Sequence, residues 1–174
     1  MALLDQALEN SKNLFSTGEF ITKLGSLVNI VTDSKNALSA YDLTSYYTDG
    51  LSDILADLGI QTEIIDNPIK NAPPFLIGKR IESSELKTIL LYGHGDTVPL
   101  QKDLWNEGIN PRELKIVDEK IYGRGVADNK GQHLINLLAL LSVLKIRKKL
   151  GFNLKIVFEM GEEIGSPGLF DLCE

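Results

Sequence analysis

A chain of 174 residues, 43% hydrophobic and 24% charged, has room for one globular domain with a real core, and neither general disorder nor a fibrous repeat fits that balance. Its 18 basic and 24 acidic side chains leave a formal charge of −6, which argues against nucleic acid or an anionic membrane as the main partner. The longest apolar stretch, Leu134 to Leu144, is broken by Asn136 and Ser142 and falls short of the roughly 20 residues of a membrane span. The first ten residues carry acids and no base, unlike a signal peptide. The lone Cys173 excludes an internal disulfide framework and suits a reducing, cytoplasmic compartment.

In chain order, Leu4, Leu8 and Phe15 have helical spacing in a short amphipathic first segment. Ser16-Thr17-Gly18-Glu19 has the spacing of a capping box. Phe20, Leu24, Leu27, Val28 and Val31 line one face of a second helix. A third helix is predicted from Leu43 to Leu58, with Tyr47, Leu51, Ile54 and Leu55 inward and Gly59 as its stop. Strands follow at Gln61–Ile65 and Phe75–Ile81, separated by Asn71-Ala72-Pro73-Pro74, and Lys87–Tyr92 reads as a buried strand. Leu114–Val117 and Lys120–Tyr122 flank Asp118-Glu119 as a hairpin. Lys130–Arg147 is a long, mostly apolar helix whose basic end, Lys145 to Lys149, suits the negative end of the helix dipole. Leu154–Phe158 is a further buried strand, and Ser166-Pro167 has the form of a helix start. Strands alternating with helices predict an α/β fold with a mainly parallel central sheet flanked by helices.

Sites in open α/β sheets lie at the carboxyl ends of strands, so the residues after each strand carry the functional reading. Gly93-His94-Gly95-Asp96-Thr97 follows the Lys87–Tyr92 strand. Asp128 follows the hairpin, and Glu162-Glu163 follow the Leu154–Phe158 strand. Asp128 lies 34 residues after His94 and Glu163 lies 35 after Asp128, a spacing that fits neighbouring elements feeding one rim. His94 and Asp96 point the same way in extended chain, where the aspartate can hold the second ring nitrogen of a ligating histidine. Gly93 and Gly95 remove bulk where a substrate or ion would approach. Each feature alone has an ordinary reading: a histidine satisfied by a neighbour, an N-cap aspartate, two solvated acids. Their coincidence at three strand ends favours a metal site, with one of the paired glutamates binding metal and the other moving a proton. His133 reads as a packing or helix-surface histidine and Arg124 as a structural salt bridge. Gly123-x-Gly125 lacks the third glycine of a nucleotide-binding loop, which leaves a nucleotide-binding module as the weakest reading.

Together, LLYGHGDTVP (Leu90–Pro99), YGRGVADNKG (Tyr122–Gly131) and EMGEEIGSPG (Glu159–Gly168), with Trp105 between the first two, resemble the di-zinc aminoacylase and carboxypeptidase family. Acetylornithine deacetylase, succinyl-diaminopimelate desuccinylase, aminoacylase and carnosinase-type dipeptidases belong to it. The resemblance implies a zinc-exopeptidase-like catalytic domain in which His94 and Glu163 bind separate zinc ions and Asp128 bridges them. It implies that Asp96 orients His94, that Glu162 is the general base, and that the peptide after Asp128 is cis. Two zinc ions are implied for the complete enzyme, with cobalt or manganese as substitutes. The implied reaction is hydrolysis of an amide bond in a dipeptide or an N-acyl amino acid, and Gly161-Glu162-Glu163 with Gly165-Ser166-Pro167-Gly168 is closer to the dipeptidase branch.

The family also uses a later acidic ligand, a histidine near the C-terminus, and an inserted lid domain that usually carries a homodimer contact. None of these motifs occurs within residues 1–174. The expectation is therefore the N-terminal portion of a catalytic domain, truncated, completed by a missing C-terminal segment and inactive alone. The contrasting reading is a catalytically dead fragment that serves as a folding or assembly partner.

Overall fold

The computed structural model describes residues 2–35 and 40–174. Helices α1 (Leu3–Ser16) and α2 (Glu19–Asn29) open the chain. Leu14 of α1 and Leu24, Leu27 and Val28 of α2 are buried, whereas Leu4, Leu8 and Phe15 stay exposed. The expected capping box does not form. Ser16 and Thr17 instead donate their hydroxyls to the Asn13 carbonyl, satisfying the end of α1, and the N-cap of α2 is Gly18 in the left-handed region.

The predicted third helix is present but interrupted. It runs as α3 (Ala40–Ser45), a wider π-helical turn (Tyr46–Leu51) and α4 (Ser52–Asp57). The turn places Tyr46 as well as Tyr47 fully inside, with Leu51, Ile54 and Leu55 also buried. Gly50 lies there against Leu27 and Ile30, too close for a side chain to fit freely. Gly59 follows with φ +62°, the stop that the sequence predicts.

The main sheet contains β1 (Gln61–Ile65), β2 (Phe75–Arg80), β3 (Thr88–His94) and β6 (Asn153–Glu159), while β4 (Lys115–Val117) and β5 (Lys120–Tyr122) form a separate hairpin. The spatial order is β1-β2-β6-β3. β2 is antiparallel to both neighbours and β3 is parallel to β6, so three strands run one way but only one pairing is parallel. The expected mainly parallel sheet is thus a mixed one. The connection from β1 to β2 spans residues 66–74, shorter than the dozen or more that a parallel crossover requires. β3 lies at the edge of the described sheet, which leaves Thr88, Ile89, Leu90 and Tyr92 exposed where a buried strand was expected.

Helix α5 (Lys130–Arg147) packs on the sheet face formed by Leu76, Leu154, Ile156 and Phe158. Its Leu134, Leu137, Leu138, Leu141 and Leu144 close this core, and α1, α2 and α4 lie against it. Helix α6 (Leu169–Cys173) starts after Gly168 rather than at Ser166-Pro167, because the Ser166 side chain is engaged with Glu159. Among the described residues no helix is long and apolar enough to cross a membrane.

At the opposite end of the sheet from His94, Glu82 joins three segments. Arg80 donates to it from Nε and Nη2, and the backbone N–H groups of Leu150 and Gly151 donate to its two oxygens. Burial alone would raise the Glu82 pKa, but these backbone and Arg80 contacts outweigh it and hold the carboxyl below its usual range. A depressed carboxylate contributes stability above its unfolded pKa and loses it as pH falls. Glu82→Gln is expected to cost about 1–3 kcal/mol at pH 7 by urea unfolding, with the difference from wild type shrinking as the pH is lowered below the usual carboxylate range.

Candidate metal centre

The parallel pairing of β3 with β6 sets Gly93 beside Phe158 and His94 beside Glu159, so the two strands end together. The chain beyond β3 turns through Gly95 to Asp96, and the chain beyond β6 turns through Gly161 into a single 3-10 turn at Glu162–Ile164. Asp128 closes the rim from the loop between β5 and α5, and the Asp128–Asn129 peptide is cis, as the resemblance implies. Gly93 and Gly95 make room for the protein itself: a side chain at Gly93 would strike Phe158, and one at Gly95 would strike Tyr46 and Met160.

His94 is buried, with its ring held between two carboxylates. Nδ1 faces Asp96, 3.3 Å from Oδ1 and 3.2 Å from the Asp96 carbonyl oxygen. Both are acceptors, so Nδ1 carries a proton and Nε2 faces the rim. Nε2 lies 3.0 Å from Asp128 Oδ1 and 3.8 Å from Glu162 Oε2. Burial pulls the His94 pKa down, but the hydrogen bond and charge of Asp96, followed by Glu162 and Asp128, outweigh it and push the ring up to about 9. The surrounding carboxylates thus favour an imidazolium at neutral pH, and a cation at Nε2 would take the place of that proton.

His94, Glu162 and Glu163 each offer a ligand atom within 4.8 Å of the others. Asp128 stands outside this trio and meets His94 directly. Two donors bound to one tetrahedral zinc at about 2 Å lie roughly 3.3 Å apart, and the 3.0 Å between Nε2 and Asp128 is close to that spacing. The donor set, one imidazole with carboxylates, also fits zinc. Burial and then the charges of Asp128 and Glu162 raise the Glu163 pKa, because the carboxylates are crowded together.

Asp96 does more than face the ring. Fully buried, it accepts the Glu162 N–H on Oδ1 at 3.2 Å and the Glu163 N–H on Oδ2 at 3.1 Å. Sequence spacing foretold the first contact but not these two. Glu159, also buried, was not singled out from sequence; its Oε1 accepts hydroxyls from Tyr92 at 2.5 Å and Ser166 at 2.9 Å, fastening the far side of the same turn. Its place directly before Met160-Gly161-Glu162 was the available signal. Arg124 meets carbonyls rather than the expected carboxylate: Nη2 donates to Pro99 and Leu100, and the guanidinium lies 5.4 Å from the centre of the Trp105 ring.

Residues 90–174 match the model of peptidase family M20/M25/M40. Beta-Ala-His dipeptidase of Mus musculus is 37% identical over 118 residues, which cover 67% of this chain and 23% of that protein. A Cys-Gly metallodipeptidase of Candida albicans is 35% identical over 129 residues, 71% of this chain and 26% of that protein. The crystal structure of human carnosine dipeptidase 1 superposes with a TM-score of 0.84 at 30% identity, over 99% of this chain and 37% of that one. The chain thus spans about a quarter to a third of the length of the curated relatives it matches.

Removing the Asp96 carboxylate leaves the His94 Nδ1–H and two backbone N–H groups without their acceptor. Asp96→Ala is expected to lower stability by about 2–4 kcal/mol in urea unfolding. Asp96→Asn is expected to recover less than half of that loss, because its amide NH₂ must face one of the N–H donors.

Proposed function

We propose that this chain, which belongs to peptidase family M20/M25/M40, builds one side of a zinc-dependent site that hydrolyses the amide bond of a dipeptide. The observation that carries the reading is the rim-facing Nε2 of a buried His94 held from behind by Asp96, with Asp128, Glu162 and Glu163 gathered around it. The dipeptidase names of the relatives support a dipeptide over an N-acyl amino acid.

In this proposal His94, Asp128 and Glu163 would hold the zinc. Bound there, zinc would supply Lewis acidity and make water more acidic near neutral pH. Asp96 keeps the proton on Nδ1 of His94 and so leaves Nε2 as the donor toward the ion. Glu162, half-exposed at the rim, takes a proton from the attacking water and returns it to the departing amine. The described residues offer one imidazole and a few carboxylates, fewer than three protein ligands for each of two ions. The remaining ligands come from polypeptide that the longer relatives possess beyond the matched region.

Zinc measured by equilibrium dialysis and elemental analysis is expected to bind the chain and to be lost in His94→Ala. With the remainder of a full-length relative supplied in trans, dipeptide hydrolysis is expected to appear and to disappear on chelation. Under those conditions Glu162→Gln is expected to retain the metal and lose at least about 100-fold in rate. Zinc binding that ignores His94→Ala, or hydrolysis that ignores chelation, would overturn the proposal.

A further inference from the structure

Behind His94 lies a buried polar chain that the hydrolytic reading leaves unused. Tyr46 Oη lies 2.5 Å from His133 Nε2, His133 Nδ1 lies 3.0 Å from Asn129 Oδ1, and that same oxygen lies 3.3 Å from the His94 backbone nitrogen. Tyr46 and His133 are both fully buried.

Every proton in the chain can be assigned from one fixed donor. The backbone N–H of His94 can only donate, so the Asn129 atom facing it is the amide oxygen. His133 Nδ1 faces that oxygen and must therefore carry a proton. Burial, then the charges of His94 and Lys130, hold the His133 ring neutral by lowering its pKa to about 3. Nε2 is then an acceptor, and Tyr46 donates to it. The Asn129 amide nitrogen completes the set by donating to Gln132 Oε1 at 3.0 Å.

The chain ends on both ligand-bearing segments. Asn129 follows Asp128 directly, and its oxygen grips the backbone of His94, so one side chain ties the Asp128 loop to the end of β3. The other end is equally fixed. Lys130 Nζ sits 4.9 Å from the centre of the Tyr46 ring while donating to the carbonyls of Leu27 and Ile30. The His133 ring packs against Phe158 at 5.0 Å. An apolar pair would fill this space without the desolvation cost of a hydroxyl and an imidazole.

We infer that Tyr46 and His133 are positioning residues that fix Asn129, and through it the distance between His94 and Asp128, for the metal. This rests on the proposed metal reading. Sequence reading places His133 among packing histidines, a role it also fills; its second task is visible only once Asn129 lies between the two ligand segments.

The test is cobalt(II) titration of the chain followed by visible absorption, with His94→Ala as reference and thermal unfolding as a control for folding. His133→Leu keeps the packing volume and removes the donor to Asn129, and is expected to bind cobalt 10- to 100-fold more weakly. His133→Asn returns an N–H donor near the position of Nδ1 and is expected to bind within threefold of wild type. Tyr46→Phe removes one oxygen with little change of shape, and is expected to weaken binding three- to tenfold should His133→Leu not fold. Hydrogen exchange at the His94 amide is expected to speed up at least tenfold in the same weakened variants. Cobalt bound as tightly by His133→Leu and Tyr46→Phe as by wild type, with binding lost in His94→Ala, would overturn the positioning role and leave the metal reading standing. Cobalt bound alike by wild type and His94→Ala would overturn both.

Discussion

The site depends on a single buried carboxylate. Asp96 has no solvent to share its charge, so its two oxygens must be satisfied by protein donors. The imidazole of His94 and the backbone N–H groups of Glu162 and Glu163 supply them. Those donors come from two strand ends about 66 residues apart in sequence, and the carboxylate can be satisfied only when both are in place. The cost of burying one charge therefore specifies the geometry of the entire rim. The parallel pairing of β3 with β6 brings the strand ends level, and Asp96 fixes the angle at which the chain leaves each of them.

The electrostatics above that base are unbalanced until a cation arrives. Asp128, Glu162 and Glu163 crowd one imidazole, and in the absence of metal the imidazole answers by holding its proton up to about pH 9. A proton supplies one positive charge against three carboxylates at the rim and one beneath it. A divalent ion would supply two and release the proton, so the same residues that push the His94 pKa upward would also favour a divalent cation.

Much of this was legible in the sequence, and the boundary follows from what spacing can encode. His94, Asp96, Asp128, Glu162 and Glu163 stood out because each follows a strand, and strand ends are visible as apolar runs giving way to glycine and charge. Helix α5 and the Asp118-Glu119 hairpin were legible through periodicity and turn chemistry, and both turn residues do adopt positive φ. The exposure of β3 was not legible, since an apolar run does not say whether a second strand covers its edge. Nor was the mixed pairing, which depends on β2 entering between β1 and β6. Ser16-Thr17-Gly18-Glu19 matched a capping pattern, yet the hydroxyls had a competing use one turn back. Asn129 and His133 are one helical turn apart, but their links to His94 and Tyr46 span 35 and 87 residues in sequence, beyond the reach of any local pattern.

The exposure of the ligand-type side chains shows how such a site reconciles rigidity with adaptation. The His94 side chain is 5% exposed, while those of Asp128 and Glu162 are 70% and 43% exposed. The nitrogen donor is thus immobilised, and the carboxylates reach the rim on flexible side chains whose backbones are held from below. Asp96 holds the backbone under Glu162 and Glu163, and Asn129 ties the segment after Asp128 to His94. Carboxylates can bind through one oxygen or two and tolerate small displacements, whereas an imidazole nitrogen has a single direction in which to coordinate. Fixing the directional ligand by its side chain and the adaptable ligands by their backbones restricts order to the groups that need it. The ordering cost is met when the chain folds, and the exposed carboxylates keep enough freedom to adjust their approach.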